Sequence, residues 1–215
     1  MSNSEQSNKV VQGSLSFDDM IGESSEEASQ EANTSIQVFA NQVVLSAEDI
    51  TIPRLRLAQG LTKEVQDGVA KPGEWLLSGA VPRQEIMANV IAIAKFRRLN
   101  KEDDGTVLCR SEDGNTGIGD PGGVCEDCPM SKWTNSTNGG RNAPPPCSFG
   151  YRYLLDIEGY GQAVYEMKKT ALSAAKALNG MVVRAGYGNT RIVLRSQKGT
   201  GARGTFYIPS IIPVS

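Results

Sequence analysis

The chain has 215 residues, 39% of them hydrophobic and 21% charged, which allows one ordinary domain with additions and excludes two large ones. The formal charge of −2 hides an asymmetry. Residues 1–35 set Lys9 against seven carboxylates, whereas residues 148–215 set nine Lys or Arg against three, a polarity suited to a basic surface for a polyanion and an acidic tail that covers it. The amino terminus lacks a signal-peptide pattern and no apolar run approaches bilayer thickness, so a location inside the cell, away from membranes, is expected.

Residues 1–35 are rich in Ser, Glu, Gln and Asn and cannot offset the entropy of ordering, so a disordered acidic tail is expected. Within it, Phe17-Asp18-Asp19-Met20-Ile21 sets apolar groups among carboxylates, either a docking motif or part of an inert solubilising tail. The domain itself is expected over residues 36–215.

From residue 50 onward strand signals dominate. Strands are predicted at Glu74 to Ser78 and Glu85 to Arg98, followed by a Gly-, Asp-, Asn- and Pro-rich insertion over 101–147 that holds or borders every cysteine. A hairpin follows, Tyr151 to Ile157 and Ala163 to Met167. A short helix is predicted from Thr170 to Leu178, with Asn179-Gly180 as its stop. Two more strands, Thr190 to Ser196 and Gly204 to Pro209, flank a loop from Gln197 to Arg203. Counted from Glu85, five strands with one helix between the third and fourth is the connectivity of the oligonucleotide-binding barrel, so the expected fold is mainly β.

Cys109, Cys125, Cys128 and Cys147 are separated by fifteen, two and eighteen residues, and the chain has no histidine. A tetrahedral zinc site would therefore need all four thiolates, with Cys125-x-x-Cys128 as the chelating knuckle. Zinc would staple an insertion almost free of apolar residues. The alternatives are a redox pair, which wants its Cys-x-x-Cys at the start of a helix, and free thiols.

Single-stranded nucleic acid needs cations for phosphates and aromatic faces for bases. Arg191 and Arg195 should share a face while Ile192 and Leu194 enter the core. Arg97, Arg98, Lys168, Lys169, Lys198 and Arg203 fall at strand ends or in loops, where a cationic rim would form, or simply a solvated face. Tyr151, Tyr153 and Tyr207 are stacking candidates that could equally fill the core, and Arg152 lies on the face opposite the first two. Enzyme signatures are weak: Gly199-Thr200-Gly201-Ala202-Arg203-Gly204 has the letters of a dinucleotide fingerprint but joins two strands, and without histidine no histidine base exists. A non-enzymatic binding protein is expected.

The run Leu108-Cys109-Arg110-Ser111, then Gly119-Asp120-Pro121-Gly122-Gly123-Val124-Cys125-Glu126-Asp127-Cys128-Pro129, Trp133 and Pro146-Cys147 resembles zinc-containing single-stranded DNA-binding proteins of bacteriophage replication and recombination. The resemblance covers roughly residues 50–210. It implies an oligonucleotide-binding barrel, binding without strong sequence preference and work in the host-cell cytoplasm, with phage replication or recombination proteins as partners of the tail. Many such proteins end in an acidic tail, whereas here the acidity lies at the front and the chain ends Ile211-Ile212-Pro213-Val214-Ser215. A zinc-stapled protein-interaction or virion component, or a polymerase-bound regulator, is the competing expectation.

Overall fold

The computed structural model describes residues 51–134, 143–201 and 204–214. The expected acidic tail, the Phe17–Ile21 motif and Arg203 lie outside the described residues. Among the described residues the fold is mainly β, an open mixed sheet with one helix of more than a single turn.

Strand β1 (Arg54–Leu57) leads through a one-turn helix α1 (Lys63–Gln66) to β2 (Trp75–Leu77) and the long β3 (Ile86–Asn100). The insertion follows as β4 (Val107–Ser111), β5 (Thr116–Gly119), β6 (Gly123–Val124) and a 3-10 turn at Pro129–Ser131. Then come β7 (Ser148–Ile157), β8 (Gly161–Lys168), helix α2 (Leu172–Ala185), β9 (Arg191–Gly201) and β10 (Gly204–Pro213). The insertion is thus more regular than its composition suggests. Asp113 organises its first turn, its Oδ1 accepting from the Ser111 hydroxyl and from the backbone N–H groups of Asn115 and Thr116.

The sheet order is β2-β1-β8-β7-β3-β4-β5-β6, and the pairing of β1 with β8 is parallel. β3 organises the rest. One of its edges pairs with β7 along Ala88–Arg98, with a bulge between Val90 and Ala92. Its other edge takes β9 at Ile86–Asn89 and β4 at Arg97–Asn100. β10 pairs with β9, and β1, which the sequence pattern missed, lies parallel to β8. β10 meets the end of β1 through a side chain: Gln59 Nε2 donates to Tyr207 O at 2.9 Å, and Tyr207 N donates to Gln59 Oε1 at 2.9 Å. Pro209 and Pro213 sit on this strand, which leaves one edge free for residues lacking an N–H.

The core forms from the alternating faces of these strands. Ile86, Ala88 and Val90 of β3, Tyr153, Leu155 and Ile157 of β7, Ala163, Tyr165 and Met167 of β8, and Ile192 and Leu194 of β9 are buried together. Trp75 closes it, its ring edge-on to Tyr165 at 5.3 Å. Helix α2 packs Ala175, Leu178 and Val182 onto this core, and Tyr153 donates its hydroxyl to Ala175 O and Asn179 Oδ1. The helix therefore runs through Asn179-Gly180, correcting the expected stop: Leu178 and Val182 stack at i, i+4 on the buried face, and the chain is released only at Gly186, with φ 87°. The expected loop from Gln197 to Arg203 is also shorter than predicted, because β9 continues to Gly201. No helix among the described residues is long and apolar enough to cross a membrane.

Candidate nucleic-acid interface and cysteine centre

β4 and β5 turn Cys109, Ser111 and Gly117 inward, and the knuckle and the strand entry to β7 bring Cys125, Cys128 and Cys147 to the same place. All four cysteines line one cavity of about 10 Å³, together with Arg97, Leu99, Pro121, Met130 and Ser131. That is room for roughly one water-sized sphere. All four cysteines are free thiols. Among the described residues no three or more Cys, Asp or Glu side chains are grouped closely enough to hold a metal ion.

The donor set and its frame nevertheless suit a soft cation. Gly117 leaves the space above Cys109 bare, since a Cβ there would come within 2.9 Å of Cys109 Sγ. Gly122 and Gly123 take φ of 69° and 75° to bring the chain into the knuckle. Ser131 donates to the carbonyls of Cys125 and Cys128, and Cys147 N donates to Met130 O. Burial pushes the Cys147 thiol above its ordinary value. The Arg97 guanidinium pulls it down, and the charges of Cys125, Cys109 and Cys128 push it up again. The Cys147 thiol therefore senses both Arg97 and the other three cysteines.

Arg97 also faces the other way. Its Nε donates to Gly114 O at 3.1 Å and its guanidinium lies 5.2 Å from the Phe149 ring centre, while Phe149 meets Tyr151 edge-on at 5.2 Å. Both aromatics are half-buried.

A second cluster lies on the opposite face of the sheet. Register sets Arg54 beside Val164, Arg152 opposite Glu166, Lys168 opposite Gly150 and Arg98 opposite Ser148, so these charges share a face across β1, β8, β7 and β3. Arg152 pairs with Glu166 at 3.0 Å and with Glu112 from the insertion, while Arg98 and Arg54 stand 3.7 and 3.9 Å from the same Glu166 oxygen. Burial works against the Arg152 charge, but the two carboxylates outweigh it and its pKa is raised. Lys168 is the converse. Burial lowers its pKa, the charges of Arg98, Lys169 and Arg54 lower it further, and Glu166 opposes them.

The other predicted contacts divide clearly. Tyr153 is a core residue whose ring offers no face to solvent, and burial raises its hydroxyl pKa, so it is removed from the stacking set. Arg152 lies on the face opposite Tyr151 and Tyr153 as expected, largely buried between two carboxylates. Tyr207 packs its ring against Gly73, where a Cβ would come within 2.6 Å of it. Arg191 and Arg195 are exposed and share a face as expected, each in an exposed ion pair, with Glu158 and Glu85 respectively. Lys198 is exposed on the β9–β10 ribbon, and Lys169 is exposed with a left-handed φ of 53°. Arg54, Glu166 and Glu112 were missed. Arg54 could have been found only by recognising the short β1.

Compared with known proteins, the chain matches no family model, no curated protein and no solved structure.

Proposed function

We propose that this chain binds single-stranded DNA without strong sequence preference, as a protein of bacteriophage replication or recombination acting in the host cytoplasm. The observation that carries the reading is the charged face of β1, β8, β7 and β3. Arg54, Arg98, Arg152 and Lys168 cluster on it around Glu166, and Glu112 reaches Arg152 from the insertion. Arg54 and Arg98 stand beyond hydrogen-bond distance of Glu166, so their donors are held near the carboxylate by charge alone. A phosphate would supply the oxygen acceptors and the negative charge this face lacks, and would relieve the crowding that depresses Lys168.

In this reading β3, β7, β8, β9 and β10 form a partly open oligonucleotide-binding barrel. β1 stands between β2 and β8, and the Gln59 amide just beyond its end bonds to β10. A curved sheet of this kind presents one charged outer face to an extended strand. Cys109, Cys125, Cys128 and Cys147 would hold one zinc ion, whose contribution is structural, fixing an insertion that supplies Glu112 to the charged face. Arg97 would offset the negative charge of four thiolates while keeping Phe149 and Tyr151 in place beside it.

Fluorescence anisotropy of a labelled oligothymidylate across a salt series tests the reading. Binding at low salt that weakens steeply and linearly in log–log form supports it. Absence of binding at low salt overturns it.

A second reading, a protein-interaction module, is favoured by the outer face of the insertion. Register puts Ile118 opposite Arg110 and Val124 opposite Thr116, so Leu108, Ile118 and Val124 share the solvent side of three adjacent strands. On that reading Ile118→Asp removes partner binding, and the oligonucleotide does not bind to the wild-type chain.

A further inference from the structure

The β9–β10 hairpin outruns its support. β9 pairs with β3 only through Arg191–Leu194, whereas its ladder with β10 continues to Gly201 and Gly204. The outer part is a two-stranded ribbon with two unlike faces. On one, the Tyr207 ring is committed to Gly73 and the Tyr207 backbone to Gln59.

On the other face Phe206 stands directly across from Gly199. A Cβ on Gly199 would come within 2.8 Å of Phe206 Cε2 and Cζ, and one on Gly201 within 3.3 Å of Cε1. Atoms from both edges of the ring thus meet the two glycines, so the ring lies across the bare backbone of β9. An aromatic laid over strand glycines in this way stiffens a ribbon, which accounts for one side of the ring. The other side is turned away from β9, and Phe206 is only half-buried. The same ribbon face carries Ile208, across from Gln197, and Arg195, across from Ser210.

We infer that Phe206 is a base-stacking residue, its outward ring face taking a nucleobase of the single strand while Arg195 lies on the same face for the adjoining phosphate. The inference rests on the single-stranded DNA reading and names a residue for the base where that reading names residues for the backbone. A phenyl ring carries no hydrogen-bonding group, and every base has a π-face, so the contact is indifferent to sequence. Gly199 and Gly201 are the requirement on this chain's side, since any side chain there would lift the ring from β9.

The test uses the full chain as wild type, Phe206→Leu and Phe206→Trp, with a labelled oligothymidylate at several salt concentrations and thermal melting as the check on folding. Loss of one stacked base should weaken Phe206→Leu by about tenfold. The factor should be the same at every salt concentration, because no phosphate charge is lost. Phe206→Trp should bind as the wild type does, and its added indole emission should be quenched as the oligonucleotide saturates. Wild-type affinity in Phe206→Leu, or unmoved emission in Phe206→Trp at saturation, overturns the inference while the function reading stands. If the wild type does not bind, the function reading fails and carries the inference with it.

Discussion

The Gln59 side chain does the work of a strand residue, its amide accepting from Tyr207 N and donating to Tyr207 O, both at 2.9 Å. A single side chain thereby joins β10 to the end of β1, and holds Tyr207 where its ring covers Gly73. Gln59→Leu keeps the volume and removes both bonds, leaving a half-buried N–H and C=O without their partner. The variant should lose about 1–3 kcal/mol of stability by urea denaturation. Unchanged stability would mean that water serves the Tyr207 backbone equally well.

Gly117 faces Cys109 Sγ with no side chain between. Gly117→Val would fill the cavity lined by the four cysteines, so the variant, purified without chelator, should carry far less zinc per chain than the wild type and expose four reactive thiols. Gly180→Ala is the matched control, since a Cβ there would meet only Arg184 Nη1, at 3.7 Å. That change, inside α2, should leave zinc content alone and stabilise the fold by roughly 0.5–1 kcal/mol.

The same helix separates what could be read from the sequence from what could not. The alternation of Arg191, Val193 and Arg195 against Ile192 and Leu194 was legible because a strand with one buried face imposes period two, and the structure keeps it. The helix stop was misread at Asn179-Gly180. Asn179 is held by the Tyr153 hydroxyl and Leu178 and Val182 by the core, so tertiary contacts override a local stop signal. Gly199 and Gly201 read as turn residues for a similar reason, since nothing in composition announces a ring lying over them. The face of Arg152, opposite Tyr151 and Tyr153, was legible from strand alternation, but its burial was not, because its partners come from far along the chain, Glu112 across the insertion and Glu166 across a hairpin. The count and spacing of the cysteines suggested a shared site, and the four residues line one cavity.

Lys168 gives the binding reaction a pH signature. Burial and the neighbouring charges of Arg98, Lys169 and Arg54 hold its pKa below the ordinary 10.5. A bound phosphate favours the charged amine, so the complex has the higher pKa and holds more protons than the free protein in the window between the two values. Affinity for a single strand should therefore fall as pH rises through the free protein's Lys168 pKa. Lys168→Arg should bind with the same affinity across that window. An identical pH profile in both proteins would remove Lys168 from the phosphate contacts.

Lys169 carries a left-handed φ of 53° where β8 gives way to α2. Lys169→Gly should relieve that strain, raising stability by about 1 kcal/mol or less. It should also weaken oligonucleotide binding by removing a cation next to Lys168. Equal affinity in the two proteins would make Lys169 an ordinary solvated residue.

The central claim is that the shared face of β1, β8, β7 and β3 neutralises phosphates. Oligothymidylate affinity measured over a salt series for the wild type and for Arg54→Ala/Arg98→Ala/Lys168→Ala tests it most directly. Removing three phosphate contacts should make the log–log salt slope shallower by about 2. Thermal melting of the triple variant would verify that it remains folded. A folded triple variant with the wild-type slope and affinity would contradict the account.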